Sequence, residues 1–358
     1  MATWDKQKLP RENGELVDMQ VPILVSASRS TDIPAFYADW FFHRFDVAGY
    51  SAWTNPFNGV RSYVSYQNTR FIVFWSKNPK PLLEYLPILE RRGIGCYIQY
   101  SLNDYEAEGL EKSVPPLAQR IDTFKQLVER LGKGHVIWRF DPLVLTDQIS
   151  IDKLLSKIEI IGDQLLGYTE KLVFSFVDIA TYRKVQANLN KAGVNYKDYD
   201  WTEEKMREFA AKLQHLNQKW GYELATCGEK IDLTEFGVKK NHCVDDNLII
   251  RLAHHDKVLM EYLNVKIHPM PQADLFGNTD PLPEGAILLP DGRYAVHGDN
   301  RDKGQRLFCG CIKSKDIGEY NTCVHGCEYC YANASKDLAK ANLRSHKENP
   351  FAETITGR

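Results

Sequence analysis

From Pro22 to Thr226 the chain alternates short apolar runs with segments of helical periodicity, and this rhythm limits the fold more than any other feature. Pro22 to Ser28, Tyr50 to Thr54, Phe71 to Trp75, Gly95 to Leu102, His135 to Phe140, Lys171 to Val177 and Tyr222 to Thr226 read as strands, with residues 60–66 as a further short one. Several stop at polar or proline-containing turns such as Ser76-Lys77-Asn78-Pro79 and Asp141-Pro142. Helices are expected at Phe36 to Phe45, Leu82 to Arg91, 151–166 and 179–191. The clearest helical pattern is Leu117, Ile121, Phe124, Leu127, Val128 and Leu131, and Met206, Phe209, Ala210, Leu213 and Leu216 mark another. Strand–helix alternation with about seven strands predicts an α/β fold, a (β/α) TIM-like barrel. A doubly wound open sheet is the alternative, but no Gly-x-Gly-x-x-Gly follows the first strand.

This reading divides the chain into a polar N-terminal arm at 1–21, the α/β barrel at 22–264, and an irregular segment at 265–358. Pro269, Pro271, Pro281 and Pro283 mark the irregular character of the last part. It is expected to pack over the barrel mouth. Near its end lies Cys323-Val324-His325-Gly326-Cys327-Glu328-Tyr329-Cys330, a Cys-x3-Cys-x2-Cys loop with an aromatic before the last thiol. So short a loop can wrap three thiolates around one inorganic core, and thiolates are the ligands of iron–sulfur clusters. Three ligands to a four-iron cluster leave one iron open. Structural zinc is the competing occupant, but it takes four closed ligands from paired Cys-x2-Cys elements, and the third cysteine of such a site does not fall at this spacing. His325 reads as a loop residue. After Cys330 a helix is expected from Tyr331, its N-terminal dipole near the anionic cluster.

Five of the eight cysteines fall between Cys309 and Cys330. Outside the loop, Cys227, Cys243, Cys309 and Cys311 form a second candidate metal set. Four thiolates complete a closed cluster, and they serve zinc equally well. Small buried residues are the alternative for Cys227 and Cys243, and Cys96, inside a strand, reads as core.

The chain has 358 residues, of which 43% are hydrophobic and 26% charged, with a net charge of −2. A large core is affordable to such a chain, and nothing in the charge points to nucleic acid or an anionic membrane. No apolar run approaches a membrane span, and the start MATWDKQKLPRENGE does not read as a signal peptide. The expectation is a cytoplasmic protein, in which cysteines act as ligands or catalytic thiols rather than disulfides.

Polar residues gather at the predicted strand ends: Arg29, Thr31 and Asp32; Asn55; Lys77 and Asn78; Gln99 and Ser101; Arg139 and Asp141; Asp178; Glu229. In a barrel these ends share the face that carries function. Arg29, Asp32, Lys77, Arg139 and Asp141 are the candidate catalytic or substrate-binding residues, the cations as clamps for a carboxylate or phosphate. Trp75 and Trp138 read as core aromatics.

The cysteine loop resembles the cluster loop of the radical S-adenosylmethionine superfamily. The resemblance implies that Cys323, Cys327 and Cys330 hold a [4Fe-4S] cluster and bind the cofactor through it. The open iron would hold the amino and carboxylate groups of S-adenosylmethionine, and an electron donor such as ferredoxin or flavodoxin would serve it. In most of that superfamily the loop follows the first strand, whereas here it comes late, and no clear Gly-Gly-Glu element is seen. Ser26 to Pro34, Asn55 to Asn58, Phe74 to Pro79, Trp138 to Pro142, and Ser314 to Gly318 through Cys330 to Asn333 together resemble an uncharacterised bacterial family, domain of unknown function 1848. That likeness covers most of residues 22–335 and implies no particular substrate. The functional expectation is a radical S-adenosylmethionine-like iron–sulfur enzyme. An electron-transfer or zinc-binding protein without cofactor cleavage is the alternative.

Overall fold

In a computed structural model, residues 4–55, 58–272 and 280–357 are described. Pro56 and Phe57 of the Asn55–Asn58 stretch lie outside them. Strands are numbered in chain order. The segment expected to be an arm is instead a hairpin, β1 (Lys6–Pro10) and β2 (Leu16–Gln20). Its turn holds Gly14 at φ 84°, a backbone region that favours glycine. The hairpin joins β4 (Tyr50–Thr54) and β5 (Arg61–Ser65) in a four-stranded sheet of order β1-β2-β5-β4. The strand expected at Tyr50 therefore belongs to this outer sheet, which removes Asn55 from the ring of strand ends.

The central sheet contains β3 (Leu24–Ala27), β6 (Phe71–Ser76), β7 (Gly95–Ser101), β8 (Val136–Leu143), β9 (Lys171–Phe176), β10 (Glu223–Thr226), β11 (Val238–Lys240) and β15 (Lys315–Asp316). Its order is β11-β10-β9-β8-β7-β6-β3-β15, and every pair is parallel. The α/β class holds, but the closed TIM-like barrel does not: among the described residues no ladder joins β11 to β15. These two edges, three and two residues long, each pair on one side only among the described residues, and the chain between them takes another course. Ile312 N donates to Val244 O at 3.0 Å, so the segment ahead of β15 reaches the region after β11 by a loop contact.

Side-chain alternation shows how both faces are buried. In β6, Ile72 and Phe74 face the core shared with the helices, while Phe71 and Val73 face the opposite core. The first core takes apolar stripes of the helices Leu82–Arg92, Leu117–Leu131, Ile151–Leu165 and Glu203–Asn217. The second packs Tyr97, Ile137 and Val173 against Ile249, Ile250, Leu259, Leu289, Ala295 and Ile312. Thus the face that a barrel would turn inward is covered by the C-terminal half of the chain. Each large apolar side chain so buried contributes about 1.5–3 kcal/mol relative to exposure. The irregular segment supplies a small sheet of β12 (Lys266–His268), β13 (Ile287–Leu288) and β14 (Tyr294–Val296), of order β12-β14-β13.

Two helix expectations need correction. The helix expected at Phe36 to Phe45 is instead broken into Ile33–Phe36, Ala38–Phe42 and a π-helical turn His43–Ala48. The terminal helix begins at Lys336, not Tyr331, because Ser335 caps it by accepting from Leu338 N at 3.0 Å. Residues 331–334 fold back instead: Asn333 Nδ2 donates to Cys323 O at 2.6 Å and Asn321 N to Ala332 O at 3.1 Å.

Candidate functional site

Parallel strands end together, and here their carboxyl ends open into a cavity of about 1400 Å³. Ser28 to Asp32, Trp75 to Lys77, Ser101, Arg139, Asp141, Ser175 to Asp178 and Cys227 to Asp232 line it from the strand ends. The cysteine loop and the segment around Cys309 close it from the C-terminal side. Both cysteine sets therefore share one cavity.

The stretch Ser28-Arg29-Ser30-Thr31-Asp32 is the dock for the terminal segment. Ser28 Oγ donates to Asp316 Oδ1 at 2.7 Å, and Arg29 N to Asp316 Oδ2 at 2.9 Å. Thr31 Oγ1 donates to Glu319 O at 2.8 Å and lies 2.7 Å from Thr322 Oγ1. Asp32 accepts four bonds: Ala35 N at 3.0 Å, Ser76 Oγ at 2.6 Å, Lys77 N at 2.7 Å, and His325 Nε2 at 2.7 Å. Burial opposes its charge, but His325, Ser76 and the Lys77 amide hold the carboxyl below the usual range.

The loop's aromatic is anchored just as firmly. Tyr329 OH donates to Glu111 Oε1 and accepts from Lys77 Nζ at 2.9 Å and Asn103 Nδ2 at 3.1 Å. Lys77 Nζ also reaches Glu111 Oε1 at 2.7 Å. Burial works against the Lys77 ammonium, but Glu111 and the nearby Cys327 raise its pKa. Glu328 N donates to Leu110 O at 3.0 Å, and its carboxylate pairs with Lys336 at 2.7 Å and Lys112 at 3.3 Å. Asp32 and Lys77, expected to meet substrate, are therefore the two clamps of the cysteine loop. Glu111 and Asn103 lacked any sequence signal, since both sit in the irregular stretch after β7.

Cys323, Cys327 and Cys330 all face the cavity. Burial pushes the Cys323 thiol up and the Cys327 thiol to about 12. Thiols so protonated are poor nucleophiles, and a metal core must displace their protons. The loop histidine is committed elsewhere: Nε2 faces Asp32, and Nδ1 lies 3.4 Å from Ser113 O.

The second set comes together from four separated positions. Cys227 Sγ and Cys243 Sγ are 3.0 Å apart. Cys311 Sγ accepts from Cys243 N at 3.2 Å and Val244 N at 3.4 Å. Cys309 faces Cys311, and that contact draws the Cys309 thiol down to about 6. Cys243 Sγ accepts from Arg139 Nη1 and Asn241 Nδ2, each at 3.2 Å. Arg139 also bonds Gln99 Oε1 at 3.1 Å and pairs with Asp141, which in turn accepts from Ser175 Oγ. Arg29 stands by the same thiols: burial opposes its charge, but Asp316, Cys311, Cys243 and Cys309 raise its pKa. Its Nη2 is buried without a hydrogen-bond partner. The Trp75 ring, not simply core, carries Arg29 at 5.4 Å and Arg139 at 5.3 Å. Trp138 and Cys96 are buried core residues.

Of the remaining strand-end residues, Asp178 and Glu229 line the cavity, and Asn78 does not. Burial and the neighbouring Asp141 push the Glu229 carboxyl up to about 7, against the bond it accepts from Phe176 N at 3.0 Å. A third group, His242, Asp245 and Asp246, has ligand atoms within 4.8 Å of one another. Asp245 is engaged there as a helix cap for Leu248 N.

Among the described residues no helix is long and apolar enough to cross a membrane. The model of a family described as Domain of unknown function (DUF1848) matches residues 24–332. No curated protein and no solved structure matches the chain.

Proposed function

The chain belongs to the DUF1848 family, whose description carries no reaction, and from the site itself we propose a radical S-adenosylmethionine-like iron–sulfur enzyme. The observation that carries this reading is a set of three cavity-facing thiols, Cys323, Cys327 and Cys330, whose own loop histidine is tied to Asp32 at 2.7 Å. These thiols would hold a four-iron cluster and leave one iron for a non-protein ligand. Bound there, the cluster would supply an electron at low potential and S-adenosylmethionine the 5′-deoxyadenosyl group for hydrogen abstraction.

The chain's own part is positioning, charge balance and exclusion of water. Asp32, through His325, and Glu111, through Tyr329, fix both sides of the loop. Lys77 sets a positive charge beside Cys327 and offsets part of the anionic core. Asp178, Glu229, Tyr182, Trp201 and Tyr331 remain on the cavity wall for a polar substrate with apolar faces.

Anaerobically reconstituted protein, reduced with dithionite, is expected to convert S-adenosylmethionine to 5′-deoxyadenosine and methionine, slowly even without substrate. Cys330→Ala should lower the yield to background. No deoxyadenosine above that control, from protein carrying a full loop cluster and tested with several reductants, would leave electron transfer as the better reading.

A further inference from the structure

We propose that Cys227, Cys243, Cys309 and Cys311 hold a second, closed iron–sulfur cluster on the same cavity, with Arg29 and Arg139 as its buried counter-charges. This extends the reading of the loop without depending on it, since the two sets share no ligand.

Four thiols from separate parts of the chain meet in one place, next to two guanidiniums stacked on Trp75. In the absence of an anion there, two guanidiniums against mostly apolar core would be costly. Arg139 has Asp141 as one partner, but its other terminal nitrogen is directed at Cys243 Sγ at 3.2 Å. Arg29 Nη2 is buried and unpartnered. Four thiolates around an iron–sulfur core carry net negative charge and supply the missing acceptor. The sulfurs also receive the Asn241 amide and the backbone N–H groups of Cys243 and Val244, a pattern suited to stabilising thiolates.

The four sulfurs run as a chain, Cys227 to Cys243 to Cys311 to Cys309, with Cys227 and Cys243 3.0 Å apart. Tetrahedral zinc at about 2.3 Å per Zn–S bond would hold all four within about 3.8 Å of one another, and an iron–sulfur core would spread them further. Either occupant therefore moves these thiols, and the iron and zinc content of the loop variant distinguishes the two. Cys243 and Cys311 take four donors, among them the Arg139 guanidinium, whereas the loop sulfurs are met by the His325 amide at Cys323 and the Tyr329 hydroxyl at Cys327. The second centre therefore has the higher reduction potential of the two, because hydrogen bonds to cluster sulfurs stabilise the reduced, more negative state.

The test is metal and sulfide analysis of anaerobically purified full-length protein. Wild type is expected to hold about eight irons per chain, and the loop variant C323A/C327A/C330A about four, on the four-iron stoichiometry of each Cys-ligated cluster. Adding Cys309→Ser and Cys311→Ser to that variant should remove the rest. Arg139→Gln should lower the potential of the remaining cluster in a redox titration, whereas a merely structural arginine would leave it unmoved. About four irons in fully reconstituted wild type, with none left in the loop variant, would overturn the proposal. So would one zinc and no iron in the loop variant. If the loop variant fails to fold, the wild-type iron count alone decides. Loss of deoxyadenosine formation with both clusters present would fail the loop reading and leave this one standing.

Discussion

Asp32 is the residue on which the loop's position turns. It accepts four donors on two oxygens, from its own helix, from the end of β6 and from the cysteine loop. An asparagine there would turn an N–H group toward one or two of those donors. Asp32→Asn is therefore expected to cost about 3 kcal/mol, from unsatisfied buried donors and a lost charge-assisted bond. Urea unfolding would measure it, and iron retained by the loop should fall in parallel. An unchanged midpoint would mean that the carboxylate is not the loop's clamp. Arg29 and Arg139 looked like substrate clamps in the sequence because their strand-end positions are right. Only their neighbours, Trp75 and the second thiol set, show that they are already engaged.

Among the elements, β15 is the smallest and the most consequential. Its two residues pair with β3, and Asp316 then meets Ser28 and the Arg29 amide. Close approach is possible because Gly318 follows: a Cβ there would lie 1.8 Å from Ser28 Oγ and 2.8 Å from Thr31 Oγ1. Gly318 O also accepts from Trp53 Nε1 at 2.9 Å, which couples β15 to the outer sheet. Gly318→Ala is expected to cost about 1–3 kcal/mol through overpacking. Hydrogen exchange should rise across residues 315–322 and leave β7 to β9 unchanged. Protection unaltered at 315–322 would show that the segment is held without this contact.

For the whole molecule, stability against acid rests partly on links between distant segments. Asp256 joins Arg70, just ahead of β6, at 2.7 Å and caps the following helix at Leu259 N, 3.0 Å. Burial raises its pKa, but Arg70 and the helix amides outweigh that and hold it below the usual carboxylate value. A depressed carboxyl stabilises the fold fully above its unfolded pKa of about 3.9 and loses that contribution as pH falls through the folded value. Asp256→Asn keeps the cap and loses the ion pair. With Arg70 partly exposed, the cost at pH 7 should be about 1 kcal/mol. The difference from wild type should shrink as pH falls and vanish below the depressed folded pKa, as the lost charge then matters in neither protein. A difference that persists in acid would assign the effect to the cap.

The strand–helix rhythm was enough to determine the α/β class and nearly every element between Gly95 and Thr226, because apolar periodicity is local and each of those strands is buried on both faces. The cysteine spacing was enough to single out the loop, and the strand-end polar residues pointed to the end of the sheet where the cavity opens. Closure was not legible. It depends on whether the last strand meets the first, and here the inward face of the sheet found its burial partners in the C-terminal half of the chain instead. The hairpin at the N-terminus was hidden because β1 and β2 are polar and exposed, so they lack the apolar alternation that marks a buried strand. The meeting of Cys227, Cys243, Cys309 and Cys311, and the diversion of Arg29, Arg139, Asp32 and Lys77 from substrate to sulfur and loop, were decided by tertiary structure alone. The contacts that join these segments, from 16 positions apart at Cys227–Cys243 to 293 at Asp32–His325, carry no local pattern. They exist only because parallel strands deliver their carboxyl ends to one place.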